Sequence, residues 1–372
     1  MERAIWKLRA SLSTIPRPSK ETLLVIVMGI AALYRHPADD LRLELVLLFE
    51  FSVVACACAW LWAANPWWSL FLALAFLSRI IPFYTRASYL AFQAVFYGSV
   101  FYGLILHHFR ERAVPVLLNL ICVIGIVNAL YAVVQLADMD WIFRSVAGSL
   151  DDPEVGLMGN SNFLSALLAF SFPAFLRPRW RWGLPLVLFG LYLAKTSLGV
   201  LSVAGGLVFL AATKRQFYLF YLVPLAALAY VLLIDAPGME RLGVWKNGLK
   251  AWLQHPWLGS GIGHWKIVFC KPMVTGTVWK TAHNEFLQML FEMGIIFPVI
   301  VFGYLVRCFR RYRPHCWMSA TGLIIVIINS AGNFPFHIAI TAMIAILWMA
   351  IFDVQVREIS TMKKAFELSG EP

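Results

Sequence analysis

The run VPVLLNLICVIGIVNALYAVVQL, residues 114–136, decides the fold class of this chain. It contains no Asp, Glu, Lys or Arg, and about 20 apolar residues in a helix are enough to cross a bilayer. Similar runs recur along the 372 residues, of which 60% are hydrophobic and only 14% are charged. Soluble domains average roughly 45–50% apolar and about 25% charged residues. The composition therefore excludes two classes of protein: a soluble enzyme with a single core, and a disordered chain.

The apolar runs predict an all-α polytopic membrane protein with about twelve transmembrane helices. We expect them to form a single integral membrane domain over residues 1–372. The predicted spans are 21–34, 41–64, 67–82, 88–106, 114–136, 161–176, 183–195, 197–213, 217–234, 285–308, 317–332 and 336–355.

The charge distribution predicts the orientation of the spans. The formal net charge is +11, which in a soluble protein would suggest nucleic acid. In a membrane protein the same charge fits the rule that Lys and Arg stay in cytoplasmic loops. Placing both termini in the cytoplasm puts most basic residues on one side and acid-rich stretches, such as 151–154, on the other. We therefore expect membrane lipids, and no nucleic acid, as partners.

One long connection, residues 235–284, is predicted on the outer face with short amphipathic helices. Loops this long in compact proteins are usually functional. Its positive charge opposes the orientation rule, and an anionic ligand would explain it. The basic residues of this loop are Arg241, Lys246, Lys250, Lys266, Lys271 and Lys280.

Within this loop the sequence predicts a helix followed by a glycine turn. A helix lying at the membrane surface is indicated by apolar and basic residues at helical spacing, namely Arg241, Trp245, Leu249 and Trp252. Pro256 should end it. The turn that follows contains Gly259, Gly261 and Gly263. Its backbone amides could approach an anion, or it could be a tight loop re-entering the membrane.

The next segment, KTAHNEFLQMLFEMGII (280–296), brings a histidine and a carboxylate to the start of a span. A neutral histidine at a membrane interface can accept a proton near pH 7. His283 is therefore either a general base or simply a polar residue at the outer end of the span. Glu292, about two and a half turns deeper, is costly to bury unless a cation or a histidine pairs with it.

Four motifs together resemble the O-antigen ligase and polymerase family of bacterial membrane proteins. Residues 281–294 resemble its HNxxLQxxxExG signature, and MGNSNFLSALLAF (158–170) resembles its GNPNxLA span opening. RLGVWKNGLKAWLQHPWLGSGIG (241–263) resembles its Arg–Trp loop, and NFPFH (333–337) resembles its late FPxH turn. The resemblance covers roughly residues 110–350.

The resemblance implies glycosyl transfer at the periplasmic face of the bacterial inner membrane. The donor would be a glycan on undecaprenyl pyrophosphate, and the acceptor a sugar hydroxyl of the lipid A core or of a growing glycan. No metal or other cofactor is implied. His283 would be the base, and Arg241 would hold the pyrophosphate. The residues themselves add Glu292 as a candidate catalytic carboxylate, which could orient a histidine.

The same resemblance suggests further substrate-binding residues. They are Lys195, Trp245, Asn284, Asn160 and Asn162. One departure stands out in LAKTSLGVL (193–201), where Leu198 occupies the position of a second phosphate-binding arginine in the family. Lys195 could supply a point charge there without a bidentate fork, or it could be a snorkelling interface lysine. Two weaker histidine candidates, His264 and His337, are expected to be structural.

Three other functions stay open. A polymerase of polysaccharide repeat units would share every motif with a ligase. A transporter of an anionic solute would explain many spans and outer basic charge, but it predicts pseudo-symmetric halves and charges deep in several spans. A non-catalytic assembly subunit is the third.

Overall fold

The computed structural model describes residues 43–80, 86–108, 113–140, 142, 154–213, 240–269, 281–311 and 316–369. These residues form helices and turns without any strand, so the all-α prediction is confirmed for them. The α-helices, in chain order, are α1 (Leu43–Ala64), α2 (Pro66–Ile80), α3 (Arg86–His108), α4 (Val114–Leu136), α5 (Ser161–Phe175), α6 (Leu184–Leu193), α7 (Ser197–Thr213), α8 (Glu240–Trp252), α9 (Trp265–Val268), α10 (Glu285–Met293), α11 (Ile296–Arg311), α12 (Trp317–Ser330) and α13 (Ala339–Ser369).

Three of these helices are long and apolar enough to cross a membrane. They are Ala87–His108, Val114–Leu136 and Ala339–Arg357. Shorter apolar helices cover most of the other predicted spans, namely Phe51–Ala64, Pro66–Ile80, Ser161–Phe175, Ser197–Thr213, Ile296–Cys308 and Trp317–Ser330. The predicted spans 21–34 and 217–234 lie outside the described residues, so the count of twelve stays a prediction.

The predicted span 285–308 is wrong as one continuous helix. It consists of α10 and α11, which are separated at Gly294 with a backbone φ of 70°. A Cβ at this position would lie 2.6 Å from the backbone nitrogen of Leu258. Only glycine adopts this conformation without strain and admits another chain segment so closely. The mostly apolar sequence of this segment did not show the break.

The helices cluster into two compact units, each built from separate stretches of the chain. The first comprises Met1–Ala113, Lys246–Thr281 and Leu287–Arg311, and the second comprises Val114–Trp245, Ala282–Phe286 and Tyr312–Pro372. In the first unit, α2 contacts α1, α3 and α11. Helices α8 and α10 each contribute residues to both units. The single membrane domain expected from the sequence stays a prediction.

Helix α5 is the centre of the second unit. Residues 164–175 are all buried, and the helix contacts α4, α6, α7, α12 and α13. Trp348 on α13 is fully buried and donates its indole N–H to the carbonyl of Phe170, at 2.8 Å. Glycine on α12 makes room for that indole, because a Cβ on Gly322 would lie 2.7 Å from Trp348 Cε2.

We predict that Gly322→Ala destabilises the fold by about 1–3 kcal/mol, because the added methyl overlaps an indole that its hydrogen bond holds in place. Thermal unfolding in detergent would measure the loss. The matched control is Gly243→Ala on α8, where an added Cβ would meet nothing within 4 Å. Equal midpoints for the two variants would contradict this account of the packing.

Candidate functional site

The site in the second unit is built on the turn at residues 331–337, which joins α12 to α13. Asn333, which is 3% exposed, holds this turn in place. Its side-chain amide donates to the carbonyl of Asn162 (3.4 Å) and to Asn329 Oδ1 (3.3 Å). Asn333 Oδ1 accepts a hydrogen bond from the backbone N–H of Phe334. The backbone carbonyl of Asn333 accepts one from the backbone N–H of Glu285. The turn is thereby fixed to α5, α12 and the start of α10.

Two side chains of α8 attach this helix to the same region. Arg241 Nη1 donates to the carbonyl of Gly332, at 3.2 Å, which uses one of the five N–H groups of a guanidinium. Trp245 Nε1 donates to the carbonyl of Ala282, at 2.9 Å. Trp245, predicted to bind substrate, therefore has a structural contact that positions the residue before His283.

The predicted helix is present as α8, but its predicted face is only partly right, and its place at the membrane surface stays a prediction. Val244 and Gly248 are buried, and Arg241 and Trp245 are half-buried. Leu249, predicted on the same face, is exposed.

His283 lies between this helix and the turn. Its φ of 49° is uncommon for a residue other than glycine. Its imidazole packs edge-on against the ring of Phe334, with centroids 4.8 Å apart. Such strained backbone positions concentrate at functional sites, where the surrounding structure holds them in place.

Two effects keep His283 neutral. Burial lowers the pKa of His283, and the nearby positive charge of Arg241 lowers it further, to about 4. At pH 7 the imidazole is therefore unprotonated and able to accept a proton. The same cation that disfavours the imidazolium would attract an anion to this place.

The sequence analysis missed a second ionisable pair beside His283. Glu285 is 3% exposed, and its Oε2 lies 3.4 Å from Nδ1 of His337, whose side chain is 23% exposed. His337 also contacts the ring of Phe334, with centroids 6.1 Å apart. Both residues stood in quoted motifs, HNE and NFPFH, but nothing in either motif indicated that they pair.

The predicted asparagines have local structural contacts. The Asn160 side chain caps α5 by accepting from the backbone N–H groups of Asn162 and Phe163. Asn162 supplies the carbonyl that Asn333 binds. Asn284 is half-buried, directly after His283. The structure therefore brings Asn162 to the turn and gives Asn160 the role of a helix cap.

Lys195 and Leu198 lie near the start of α7, also in the second unit. Lys195 is exposed and has a positive φ of 48°. Burial raises the pKa of Glu154, and the positive charge of Lys195 partly opposes that rise. Leu198 lies against Gly332, since a Cβ on that glycine would be 3.2 Å from both Leu198 Cδ atoms. The position where the resemblance predicts a second arginine therefore adjoins the carbonyl that binds Arg241.

Glu292 belongs to the first unit and is 1% exposed. Its Oε2 accepts from the backbone N–H of Gly263 at 2.9 Å, and its Oε1 accepts from Gln288 Nε2 at 3.2 Å and the backbone N–H of Trp265 at 3.3 Å. A buried carboxylate is stabilised by such hydrogen bonds. This arrangement favours a positioning role for Glu292 over the predicted catalytic one.

One of the two predictions for the glycine turn, that its backbone amides bind an anionic ligand, is wrong. The N–H groups of Gly259 and Gly261 donate to the carbonyls of His255 and Glu292, and that of Gly263 donates to the Glu292 carboxylate. All three glycines have positive φ. A carboxylate of the protein itself thus binds where an anionic ligand was expected.

Candidate metal ligands are not gathered in the described part of the chain. Among those residues, no three His, Cys, Asp or Glu side chains approach one another closely enough to hold a metal ion.

Comparison with known families supports the resemblance seen in the motifs. Residues 155–302 match the family model for O-antigen ligase, so this resemblance is confirmed over those residues. No curated protein matches the chain. The match supports glycosyl transfer of the O-antigen ligase or polymerase type in general, and with the apolar helices it indicates a membrane protein.

We predict that Arg241→Gln raises the pKa of His283 from about 4 towards its ordinary value without reaching it, because burial remains. Histidine NMR on ¹⁵N-labelled protein would follow the titration. Lys250→Gln is the control, since it removes a charge from an exposed position of the same helix. An unchanged titration in Arg241→Gln would contradict the electrostatic coupling.

Proposed function

We propose, with the O-antigen ligase match as the premise, that this chain transfers a glycan from undecaprenyl pyrophosphate to a sugar hydroxyl. The observation that carries the proposal is the guanidinium of Arg241 next to the neutral imidazole of His283, in the second unit. The guanidinium would bind the leaving pyrophosphate, and the imidazole would accept the proton of the attacking hydroxyl.

Arg241 would hold the pyrophosphate. Pyrophosphate is already a good leaving group, so it needs positive charge more than it needs a proton. A guanidinium stays charged at any accessible pH and can bind two phosphate oxygens at once. Preorganised charge at a developing anion is typically worth several kcal/mol. The bond to the Gly332 carbonyl fixes the guanidinium and leaves further N–H groups for phosphate.

His283 would act as the general base. A sugar hydroxyl is a weak nucleophile, and a positioned base typically accelerates such a reaction by about 10²–10⁴-fold. Its lowered pKa ensures that the imidazole is unprotonated when substrate binds. The electrons of the anomeric C–O bond leave with the pyrophosphate while the acceptor oxygen forms the new bond.

The remaining assignments follow from the charge pattern and the resemblance. The loop at 235–284 would face the periplasm, with both termini in the cytoplasm of a bacterial inner-membrane protein. Asn284 is retained as a substrate contact. Lys195 is a weaker candidate, because its charge lies near Glu154.

We predict that His283→Gln lowers the transfer rate by about 10²–10⁴-fold, because no base remains at the hydroxyl. Purified protein in vesicles would receive undecaprenyl-pyrophosphate glycan with and without lipid A core. His255→Gln, the same change at an exposed histidine, should behave as wild type.

The products separate the related functions. Glycan on the core identifies a ligase, and longer lipid-linked glycan without core identifies a polymerase. Wild-type protein that is folded but consumes no donor would overturn the proposal in favour of transport or assembly. Full activity of His283→Gln would remove this residue as the base.

We predict that Arg241→Lys weakens donor binding and slows transfer by at least about tenfold, because a point charge replaces a planar fork. Donor affinity measured on the His283→Gln background would separate binding from turnover. Arg310→Lys, at an exposed position of α11, is the matched control. Donor affinity and rate equal to wild type in Arg241→Lys would argue against pyrophosphate binding by Arg241.

A further inference from the structure

The reaction proposed above leaves a proton in an unfavourable place. After His283 takes the acceptor proton, its imidazolium lies half-buried beside Arg241. Burial and the neighbouring cation both oppose that charge. A site that turns over repeatedly needs another group on which the proton can rest before it reaches solvent.

We infer that Glu285 and His337 form a proton-holding pair, which receives the proton that His283 removes from the acceptor hydroxyl. This inference rests on the proposed function. The Glu285 carboxylate is buried and 3.4 Å from His337 Nδ1, so a protonated His337 would gain an ion pair in place of the repulsion that His283 meets.

The geometry links the pair to His283. Phe334 contacts both imidazoles, at 4.8 Å from His283 and 6.1 Å from His337 between ring centroids. The backbone N–H of Glu285 donates to the carbonyl of Asn333, the residue before Phe334. His337 keeps 23% side-chain exposure, which gives the proton a way to water. All of these residues belong to the second unit.

A buried oxygen of Glu285 supports a role beyond simple packing. Glu285 Oε1 has no hydrogen-bond partner among the described residues. A buried carboxylate normally fills its hydrogen-bonding capacity. An incompletely satisfied carboxylate next to an imidazole stabilises the imidazolium strongly once the proton arrives.

The proton balance of the step is simple. The acceptor O–H bond breaks as the acceptor oxygen bonds to the anomeric carbon, and the pyrophosphate leaves with the electron pair. The proton moves to His283 and then, through water, to His337. Among the described residues, the charged or titratable groups near the pair are Arg241 on α8 and His283, whereas α5 and α12 present Asn162 and Asn329 to the turn.

Two variants test the pair in vesicle-reconstituted full-length protein. We expect His337→Ala to lower kcat by about 10–10²-fold without loss of donor affinity, and free imidazole to restore several-fold activity. We expect Glu285→Gln to lower maximal kcat and to shift the acid limb of the pH–rate profile to lower pH, because the imidazolium loses its counter-charge.

A structural control separates proton transfer from folding. Thr341 donates to the carbonyl of Pro335 in the same turn and carries no titratable group. Thr341→Val should change activity equally at every pH and should not respond to imidazole. If His337→Ala does not fold, His337→Gln replaces it in the same assay.

The outcomes distinguish the two proposals. Transfer by wild type, loss in His283→Gln and full activity of His337→Ala from pH 5.5 to 8.5 would overturn the pair alone. A loss in His337→Ala that imidazole does not restore, and that matches Thr341→Val, would make His337 structural. No transfer by wild type would overturn the proposed function instead.

Discussion

A buried carboxylate must be compensated, and this constraint shapes the surroundings of helix α10. The nine-residue helix α10 carries two of them, Glu285 at its start and Glu292 near its end, exposed by 3% and 1%. Backbone N–H groups and Gln288 compensate Glu292, so a glycine-rich loop folds around it. A histidine compensates Glu285, so this charge is coupled to a group that can gain or lose a proton. The same requirement thus produces a rigid turn in one case and an ionisable pair in the other.

The turn at 331–337 shows how one polar residue can organise several reactive ones. Asn333 uses its amide, its Oδ1 and its backbone carbonyl for contacts to α5, Phe334 and Glu285. Residues on either side of it contact Arg241, His283 and His337. In an apolar environment each unmet hydrogen bond costs free energy, so a fully bonded asparagine fixes the turn in a single arrangement. The distances in the site therefore follow from hydrogen bonds between the protein's own residues.

The sequence predicted much of the fold because bilayer-length apolar runs are a strong local signal. The runs at 114–136 and 197–213 correspond to helices with the same bounds. It failed where a backbone contact between distant segments decides the structure, as at Gly294. It assigned His283 and Arg241 to one reaction from the motifs that contain them, and the structure brings their side chains into electrostatic contact. Their roles stay a prediction. It could not pair Glu285 with His337, because 52 residues separate them and no local pattern encodes the contact.

Leu198 stands where the resemblance to O-antigen ligases predicts a second arginine. An arginine at this position would lie beside Gly332, whose carbonyl binds Arg241. Two guanidiniums there would both repel the imidazolium of His283 and would bind phosphate as a pair. With leucine, the local positive charge at this point is smaller by one unit. His283 is correspondingly easier to protonate than it would be beside two arginines, so it is the stronger base of the two arrangements.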